Sequence, residues 1–349
     1  MNLDDIHLYN DVDQSDMLSE LLGLPDQLQR GYSAAKSFPL TAESPQHVVI
    51  CGMGGSAIGG DLVAAYVEPF CKVPITVNRD YDLPAWVNGR QYLVVGSSHS
   101  GNTEETISAY KQAVARGCQT VAISTGGAIA SIAKDFDRAA WRFDHTGQPR
   151  AAVGYSFALL LALLEKAGLI PDQTGEVEQA VKSMADFLET IRPNVEIVKN
   201  PAKRQAGQLI DRLPIFFGSG LMVPVTKRWK GQVGELAKSA ASAETLPEAC
   251  HNTLSGIDHP DTILQRTTAI FIRSSFDHPR NQLRSKLTHQ AYLKAGIGID
   301  TFNVPGKTRL SQLWNAILFG DFLAYYLAIA YGVDPTPIPN IAELKKAMS

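Results

Sequence analysis

The sequence predicts an α/β protein with two similar domains, each built on a parallel sheet flanked by helices. Two observations carry this prediction. Short apolar runs rich in β-branched residues alternate with helix-length segments, and this alternation is typical of parallel sheets. The same pattern starts again after a largely helical stretch in the middle of the 349-residue chain, which is long enough for two domains of ordinary size.

The strands predicted from this pattern fall into two groups. The first group is expected at 47–52, 74–78, 91–98, 119–125 and 138–143. The second group is expected at 214–220, 242–246, 268–275 and 299–306. The domain organisation that follows is an N-terminal helical segment at 1–45, a first sheet domain at 46–170, a helical linker at 171–200, and a second sheet domain with a C-terminal tail at 201–349.

Composition and charge exclude several classes of protein. A net charge of −3 without a basic stripe argues against nucleic acid as a partner. The acidic N-terminus lacks the pattern of a signal peptide, and the apolar stretch at 151–164 is too short to span a membrane. We therefore expect a cytoplasmic protein that binds neither nucleic acid nor membrane.

The cysteines and histidines do not have the spacing of a metal site. Cys51, Cys71, Cys118 and Cys250 are far apart in the sequence, and no C-x-x-C or H-x-x-x-H pattern occurs. The four cysteines are predicted to be buried free thiols, and we expect neither a metal ion nor another cofactor.

A Gly-rich segment, CGMGGSAIGGDL at 51–62, follows the first predicted strand and opens a helix. Free backbone N–H groups and the positive end of a helix make such a turn suitable for an anion. Its glycine spacing fits a dinucleotide fingerprint poorly, and no Gly-Lys-Ser/Thr follows as in a P-loop. The alternative is purely structural, with glycines that only let the strand turn tightly into the helix.

The segment SSHSGNTEET at 97–106 follows the third predicted strand and places three hydroxyl groups around a glycine. Ser98, Ser100 and Thr103, together with the N–H groups of the next helix, can hold a phosphate without a lysine. Thr103 could instead be a simple N-cap. Ser56 of the Gly-rich segment favours the phosphate, because both segments follow parallel strands and can meet over one crevice.

The second half of the sequence repeats this arrangement with different side chains. Gly218-Ser219-Gly220 corresponds to Gly52-Met53-Gly54, and SSFDHPRN at 274–281 corresponds to the hydroxyl-rich segment. Aspartate, proline and a bulky phenylalanine replace the small hydroxyl residues there. The second copy is therefore predicted to be a scaffold, while the first copy binds the ligand.

These motifs resemble those of the bifunctional phosphoglucose/phosphomannose isomerases, which have two SIS (sugar isomerase) domains. The most specific segments are G-M-G-G-S, S-x-S-G-N-T, G-x-P-R-A-A at 147–152 and P-E-x-x-H-N at 247–252, and the resemblance extends from about Val48 to Lys346. It implies two SIS-type domains, each a three-layer, flavodoxin-like sandwich. It also implies a metal-independent exchange of aldose and ketose 6-phosphates through an enediol, in a homodimer.

The resemblance also implies a role for individual residues. Gly54, Gly55, Ser56, Ser98, Ser100 and Thr103 would bind the substrate and its phosphate. Glu235 would be the catalytic base, and Arg150 would stabilise the enediolate. His251, which would enter from the partner subunit, would open the sugar ring.

Alternatives remain for several of these roles. Glu235 could be an ordinary helix residue paired with Lys238, and Glu244 and Glu248 are rival bases, although Glu248 is expected to fix its own loop by accepting backbone hydrogen bonds. In the tail, Lys345 is the expected active-site lysine, Lys346 is the alternative, and Thr336 is the expected small residue that admits both C2 epimers.

The activity has alternatives too. The chain could be a different SIS isomerase, such as one for heptose or arabinose phosphates, or a sugar-phosphate sensor without catalysis. A sensor would be favoured by an appended helix-turn-helix or basic segment, and neither is visible.

Overall fold

The computed structural model describes residues 2–40 and 42–348. Its strands are β1 (His47–Cys51), β2 (Ile75–Asn78), β3 (Tyr92–Ser97), β4 (Gln119–Ser124), β5 (Ala139–Arg142), β6 (Leu213–Ser219), β7 (Ser242–Leu246), β8 (Thr267–Arg273) and β9 (Gly298–Asn303).

The helices of the first half are α1 (Ile6–Val12), α2 (Met17–Leu22), α3 (Leu24–Ala35), α4 (Gly54–Val67), α5 (Glu104–Ala115), α6 (Gly127–Asp135), α7 (Val153–Lys166) and α8 (Thr174–Ile191). Those of the second half are α9 (Pro201–Gln208), α10 (Val223–Ala237), α11 (Asp261–Leu264), α12 (Pro279–Lys294), α13 (Arg309–Tyr331) and α14 (Pro339–Met348).

The strands form two parallel sheets, as the alternating pattern predicted. The first sheet has the order β2-β1-β3-β4-β5, which is the strand order of flavodoxin-like folds, and the second has the order β7-β6-β8-β9. Cys51 of β1 pairs with Gly96 of β3, and Phe217 of β6 pairs with Phe271 of β8. The first strand of each half, β1 or β6, therefore lies directly beside the strand that a serine-containing loop follows, β3 or β8.

The predicted strand boundaries are close to the observed ones. Every strand end lies within two residues of its prediction except that of β9, which ends three residues early, at Asn303. The prediction of an α/β fold with two helix-flanked parallel sheets is confirmed.

The chain divides into two compact units, and one of them is discontinuous in sequence. The first-sheet unit is continuous, from Gly23 to Lys182. The second-sheet unit joins the residues up to Leu22 with those from Ser183 onward. These limits differ from the predicted segments, because α1 and α2 group with the second sheet, whereas α3 groups with the first.

Each unit is built around a nearly fully buried helix. In the first-sheet unit this is α7, and in the second-sheet unit it is α13. Among the described residues, α13 alone is long and apolar enough to cross a membrane, but 94% of its most apolar window is buried inside the protein. This helix does not stand out in the sequence because Gln312, Asn315 and Asp321 interrupt its apolar run.

Candidate active site

The Gly-rich turn between β1 and α4 brings two backbone segments into close contact. Gly54, the first residue of α4, has a φ of +50°, a conformation that favours glycine. A Cβ on Gly55 would lie 2.7 Å from the Pro149 carbonyl oxygen, so only a glycine lets α4 approach the segment that carries Arg150. Ser56 is buried in the first turn of α4. The glycines thus have the structural role that was the alternative, and they also leave the helix N-terminus beside Arg150.

The loop that joins β3 to α5, residues 97–103, is called the hydroxyl loop here. The Ser98 and Thr103 hydroxyl oxygens are 2.9 Å apart and share a hydrogen bond. The Gly101 N–H donates to the Ser98 hydroxyl, and the Asn102 N–H donates to that of Ser100. Thr103 is the N-cap residue of α5, but its side chain does not cap the helix. The Thr103 hydroxyl therefore lies at the N-terminus of α5 and is hydrogen-bonded to Ser98 and not to the helix.

The hydroxyl loop adjoins the Gly-rich turn and is tied to the next helix. A Cβ on Gly52 would lie 2.9 Å from the Ser97 carbonyl oxygen and 3.3 Å from the Ser56 Cβ, so the two segments meet as predicted. The Asn102 side chain accepts a hydrogen bond of 2.9 Å from the Ala128 N–H at the start of α6. No role was predicted for Asn102, although an asparagine after a loop glycine is a common local hydrogen-bonding residue.

Arg150 is buried, with only 3% of its surface exposed, in a short 3-10 turn at Pro149–Ala151. One guanidinium nitrogen, Nη1, lies 3.3 Å from the Gln148 Oε1 to which it donates. An arginine with only a structural role at the head of a helix would be expected to extend into solvent, and Arg150 does not. A buried cation beside a helix N-terminus is suited to an anionic ligand or intermediate.

Two histidines that no sequence motif predicted link the hydroxyl loop to the segment before Arg150. The His99 Nε2 and His145 Nδ1 atoms are 2.9 Å apart and share a hydrogen bond. The His99 carbonyl oxygen also accepts hydrogen bonds from the backbone and hydroxyl of Thr125. Their separation by 46 residues left no local signal in the sequence.

Glu235 lies half-buried on the last turn of α10, in the second-sheet unit. Two turns earlier, Arg228 forms a buried pair with Asp321 of α13, with nitrogen–oxygen distances of 3.0 and 2.7 Å. The Trp229 indole donates to the Ala316 carbonyl oxygen. Burial raises the pKa of Asp321, and the Arg228 charge and hydrogen bond oppose that rise. These contacts fix α10 on α13 and with it the position of Glu235.

Lys238 ends α10 rather than continuing it. Its φ is +53°, and its ammonium group donates to the carbonyl oxygens of Glu235, Leu236 and Asp334, the last at 2.6 Å. The Asp334 carboxylate in turn accepts a hydrogen bond of 2.9 Å from the Thr336 N–H. The structure thus brings the C-terminal end of α10, with Glu235, into one hydrogen-bonded group with the Thr336 segment.

His251 lies in an exposed loop after β7. Its backbone N–H donates to the Glu248 carbonyl oxygen, while the Glu248 side chain accepts from the Asn252 side-chain amide at 3.0 Å. Glu248 therefore does fix this loop, but through a side-chain amide and not through the backbone donors that were predicted. The rival base Glu244 accepts a hydrogen bond from the Thr253 hydroxyl.

The two lysines predicted in the C-terminal tail lie on its helix. Lys345 and Lys346 are both exposed, on α14, a helix without buried residues.

All four cysteines are free, but only Cys51 and Cys118 are buried, so the prediction was wrong for the half-buried Cys71 and Cys250. In the described part of the chain no group of three His, Cys, Asp or Glu residues could hold a metal ion.

The fold and its hydroxyl loop define the class of this protein, an α/β protein of the SIS fold. Residues 198–348 match the family described as "Bacterial phospho-glucose isomerase C-terminal SIS domain". A tagatose-6-phosphate ketose/aldose isomerase from Escherichia coli has the same fold, with a TM-score of 0.71 over 92% of this chain and 95% of that one at 17% identity.

Full-length relatives define the family more narrowly. A bifunctional phosphoglucose/phosphomannose isomerase from Caldicellulosiruptor bescii is 39% identical over 95% of this chain and 99% of its own length. Another, from Aquifex aeolicus, is 30% identical over 86% of this chain and 90% of its own. The chain belongs to the family of bifunctional phosphoglucose/phosphomannose isomerases, and it is a sugar-phosphate isomerase, so the resemblance found in its motifs is confirmed.

Proposed function

We propose that this protein interconverts glucose 6-phosphate and fructose 6-phosphate, and also accepts mannose 6-phosphate, without a metal ion. The observation that carries the proposal is the first-sheet unit's crevice, where the hydroxyl loop, the N-terminus of α4 and the buried Arg150 lie together. Hydroxyl groups and helix N–H groups suit a phosphate monoester, and a buried guanidinium suits an enediolate. The names of the relatives agree with these substrates.

In the proposed reaction, Glu235 takes the proton from C2 of the open-chain aldose. The electron pair forms the double bond of the enediol, and the carbonyl oxygen at C1 gains negative charge or a proton. Arg150 stabilises that charge, the proton of the C2 hydroxyl passes to the oxygen at C1, and return of the other proton to C1 gives the ketose. Return to either face of C2 gives the two aldose epimers, and the small Thr336 would leave room for both.

Three further roles belong to the same proposal. Ser56, Ser98, Ser100 and Thr103, with Gly54 and Gly55, hold the phosphate. His251 moves a proton between the ring oxygen and the sugar hydroxyl when the ring opens. Lys345, with Lys346 as its alternative, reaches the substrate from the tail. We propose that the protein is a cytoplasmic homodimer in which His251 serves the partner subunit's site.

The activity is tested by incubating the protein with fructose 6-phosphate in EDTA and assaying both aldose products. We expect glucose 6-phosphate and mannose 6-phosphate to form. Loss of activity in EDTA would reject the metal-independent mechanism. Tight binding of fructose 6-phosphate without turnover would favour the sensor, and turnover of only heptose or arabinose phosphates would favour the other SIS isomerases.

The shared site is tested by mixing two inactive variants, Glu235→Gln and His251→Ala, under subunit exchange. A mixed dimer then has one site with both defects and one site with neither. Equal mixing should restore about a quarter of the wild-type activity. No recovery, with exchange verified by native mass spectrometry, would place both residues in the site of one chain.

A further inference from the structure

The two units contain the same turn after their first strand. Gly54 has a φ of +50° and Gly220 a φ of +49°. The residues before them also match, since Met53 has φ −126° and ψ 159° and Ser219 has φ −133° and ψ 157°. The turn after β6 is therefore a backbone copy of the Gly-rich turn after β1. We call the space between this turn and the loop at 274–278 the second crevice.

The loop at 274–278, between β8 and α12, also resembles the hydroxyl loop in its backbone. The Asp277 N–H donates to the Ser274 carbonyl oxygen, as the Gly101 N–H donates to that of Ser98. Where the hydroxyl loop has a glycine, the second loop thus carries a carboxylate. This side chain is more than nine-tenths buried.

The Asp277 carboxylate lies in the second crevice and faces both of its walls. Its Oδ2 accepts a hydrogen bond of 3.1 Å from the Ser274 N–H. A Cβ on Gly220 would lie 3.7 Å from its Oδ1. Among the described residues, no donor makes a well-formed hydrogen bond to Oδ1, although the nearby Ser219 hydroxyl lowers the pKa of the carboxyl.

The hydroxyl groups of the second loop are already bound by α13. Gln312 accepts from the Ser274 hydroxyl at 2.7 Å and donates to the Ser275 hydroxyl at 2.8 Å. Its side chain also accepts from the Ser275 N–H and donates to the Gly306 carbonyl oxygen. Both hydroxyls are thus held by the protein itself, whereas Ser100 of the hydroxyl loop is exposed.

The charge of Asp277 opposes entry of a second anion. Burial raises the pKa of its carboxyl, and the Ser274 N–H, the Ser219 hydroxyl and the charge of Arg309 act in the opposite direction. A phosphate in the same crevice would meet this carboxylate at a few ångströms in a poorly solvated space, where like charges repel strongly.

We propose that Asp277 is a built-in anion that fills the second crevice, so that each chain binds one sugar phosphate and not two. The carboxylate takes the place that the hydroxyl loop keeps open for a ligand, and it lies between the β8–α12 loop and the turn after β6. Removing the carboxylate would turn the second crevice into a site for a small oxyanion. The count of one sugar phosphate rests on the proposed function, but the filling of the crevice does not.

Binding stoichiometry tests the count. Equilibrium dialysis should give one hexose 6-phosphate per chain for the wild type and none for a Ser100→Ala/Thr103→Val variant. Two per chain in the wild type, with one left in the double variant, would overturn the proposal by showing an open second crevice. One per chain in both proteins would reject the proposed phosphate site instead, and the next experiment would then decide on Asp277.

Rescue by formate tests the filling directly, without reference to activity. Asp277→Ala deletes a carboxylate group of the size of formate. Sodium formate should raise the melting temperature of this variant by about 3 °C or more beyond the effect of sodium chloride. The wild type and Asp277→Asn, whose crevice stays filled, should respond equally to both salts.

Equal shifts of Asp277→Ala in formate and chloride would overturn the proposal. If this variant does not fold in chloride, its refolding from urea in each salt is compared. Recovery only in formate supports the proposal. Failure in both salts, while Asp277→Asn folds, overturns it.

Discussion

The hydroxyl loop after β3 and the loop after β8 share a backbone plan and differ in what fills the adjoining crevice. In the first-sheet unit, a glycine and small hydroxyl residues leave the crevice open beside the buried Arg150. In the second-sheet unit, the Asp277 carboxylate lies in the crevice, and Gln312 binds both serines. The two turns therefore keep one conformation although the side chains around them differ, because glycines fix the backbone conformation while the neighbouring side chains can be replaced.

The helices that follow the two turns, α4 and α10, are held in place in different ways. The start of α4 is glycine-rich and lies against the backbone of its neighbour, which leaves its N-terminus accessible to a ligand. By contrast, α10 is anchored through large side chains, namely Arg228 and Trp229, and carries the proposed base at its far end. The helix of the first-sheet unit is thus held by backbone contact, and the helix of the second-sheet unit by buried side chains.

The largest expected effect tests whether the second-sheet unit supplies the base. Glu235→Gln keeps the volume of the side chain but removes the proton acceptor, so kcat should fall by about two to four orders of magnitude. Sugar-phosphate binding should persist. Initial rates with fructose 6-phosphate measure the loss, and Glu244→Gln and Glu248→Gln are the matched controls. A larger loss in either control would move the base to that residue.

The next effect tests the anchoring of α10. Asp321→Ala leaves the Arg228 guanidinium buried without its carboxylate and should lower the free energy of unfolding by about 3–5 kcal/mol. The double variant Arg228→Met/Asp321→Leu removes both charges and should unfold at nearly the wild-type urea concentration. If both variants lose the same stability, packing and not the unpaired charge holds this helix.

The third prediction compares the two loops directly. Ser100→Ala and Thr103→Val should each raise KM by about tenfold with little change in kcat, because the phosphate is bound equally in the ground and transition states. Ser275→Ala, the matched change in the second loop, should leave KM unchanged. Steady-state kinetics of the three variants measure these changes in KM. An unchanged KM in both first-loop variants would contradict the assignment of the hydroxyl loop to the phosphate.

The smallest effect concerns the pH dependence of stability. Because burial raises the folded-state pKa of Asp277 above its ordinary value of 3.8, the native chain holds this proton more tightly than the unfolded chain. The resulting stabilisation is fully present below the ordinary value and is lost as the pH rises through the folded-state pKa. Asp277→Asn lacks this contribution, so its stability relative to wild type should improve as the pH rises. Urea unfolding of both proteins across this range would show the trend, and a constant difference would speak against it.

Local patterns in the sequence predicted the strands and the hydroxyl loop well. Strands such as β4 and β7 follow from short apolar or alternating runs, and the glycine and hydroxyl spacing predicted the loop. The partners of these residues were not predictable, because they depend on contacts between distant parts of the chain. His99 with His145, Arg228 with Asp321 and Ser274 with Gln312 are separated by 46, 93 and 38 residues. The positions of the compact units were also not visible, since no composition change marks Leu22 or Ser183.

The discontinuity of the second-sheet unit has a consequence for how the chain is made. The segment with α1 and α2 leaves the ribosome before the first-sheet unit, yet its contacts are with residues translated after that unit, such as those of Asp4 with Lys203 and Asp13 with Tyr325. The first-sheet unit is continuous and has all of its residues once Lys182 has emerged. Synthesis therefore completes the unit with the hydroxyl loop first. The helices α1 and α2 can pack on α13 only later, because α13 is translated after the whole first-sheet unit.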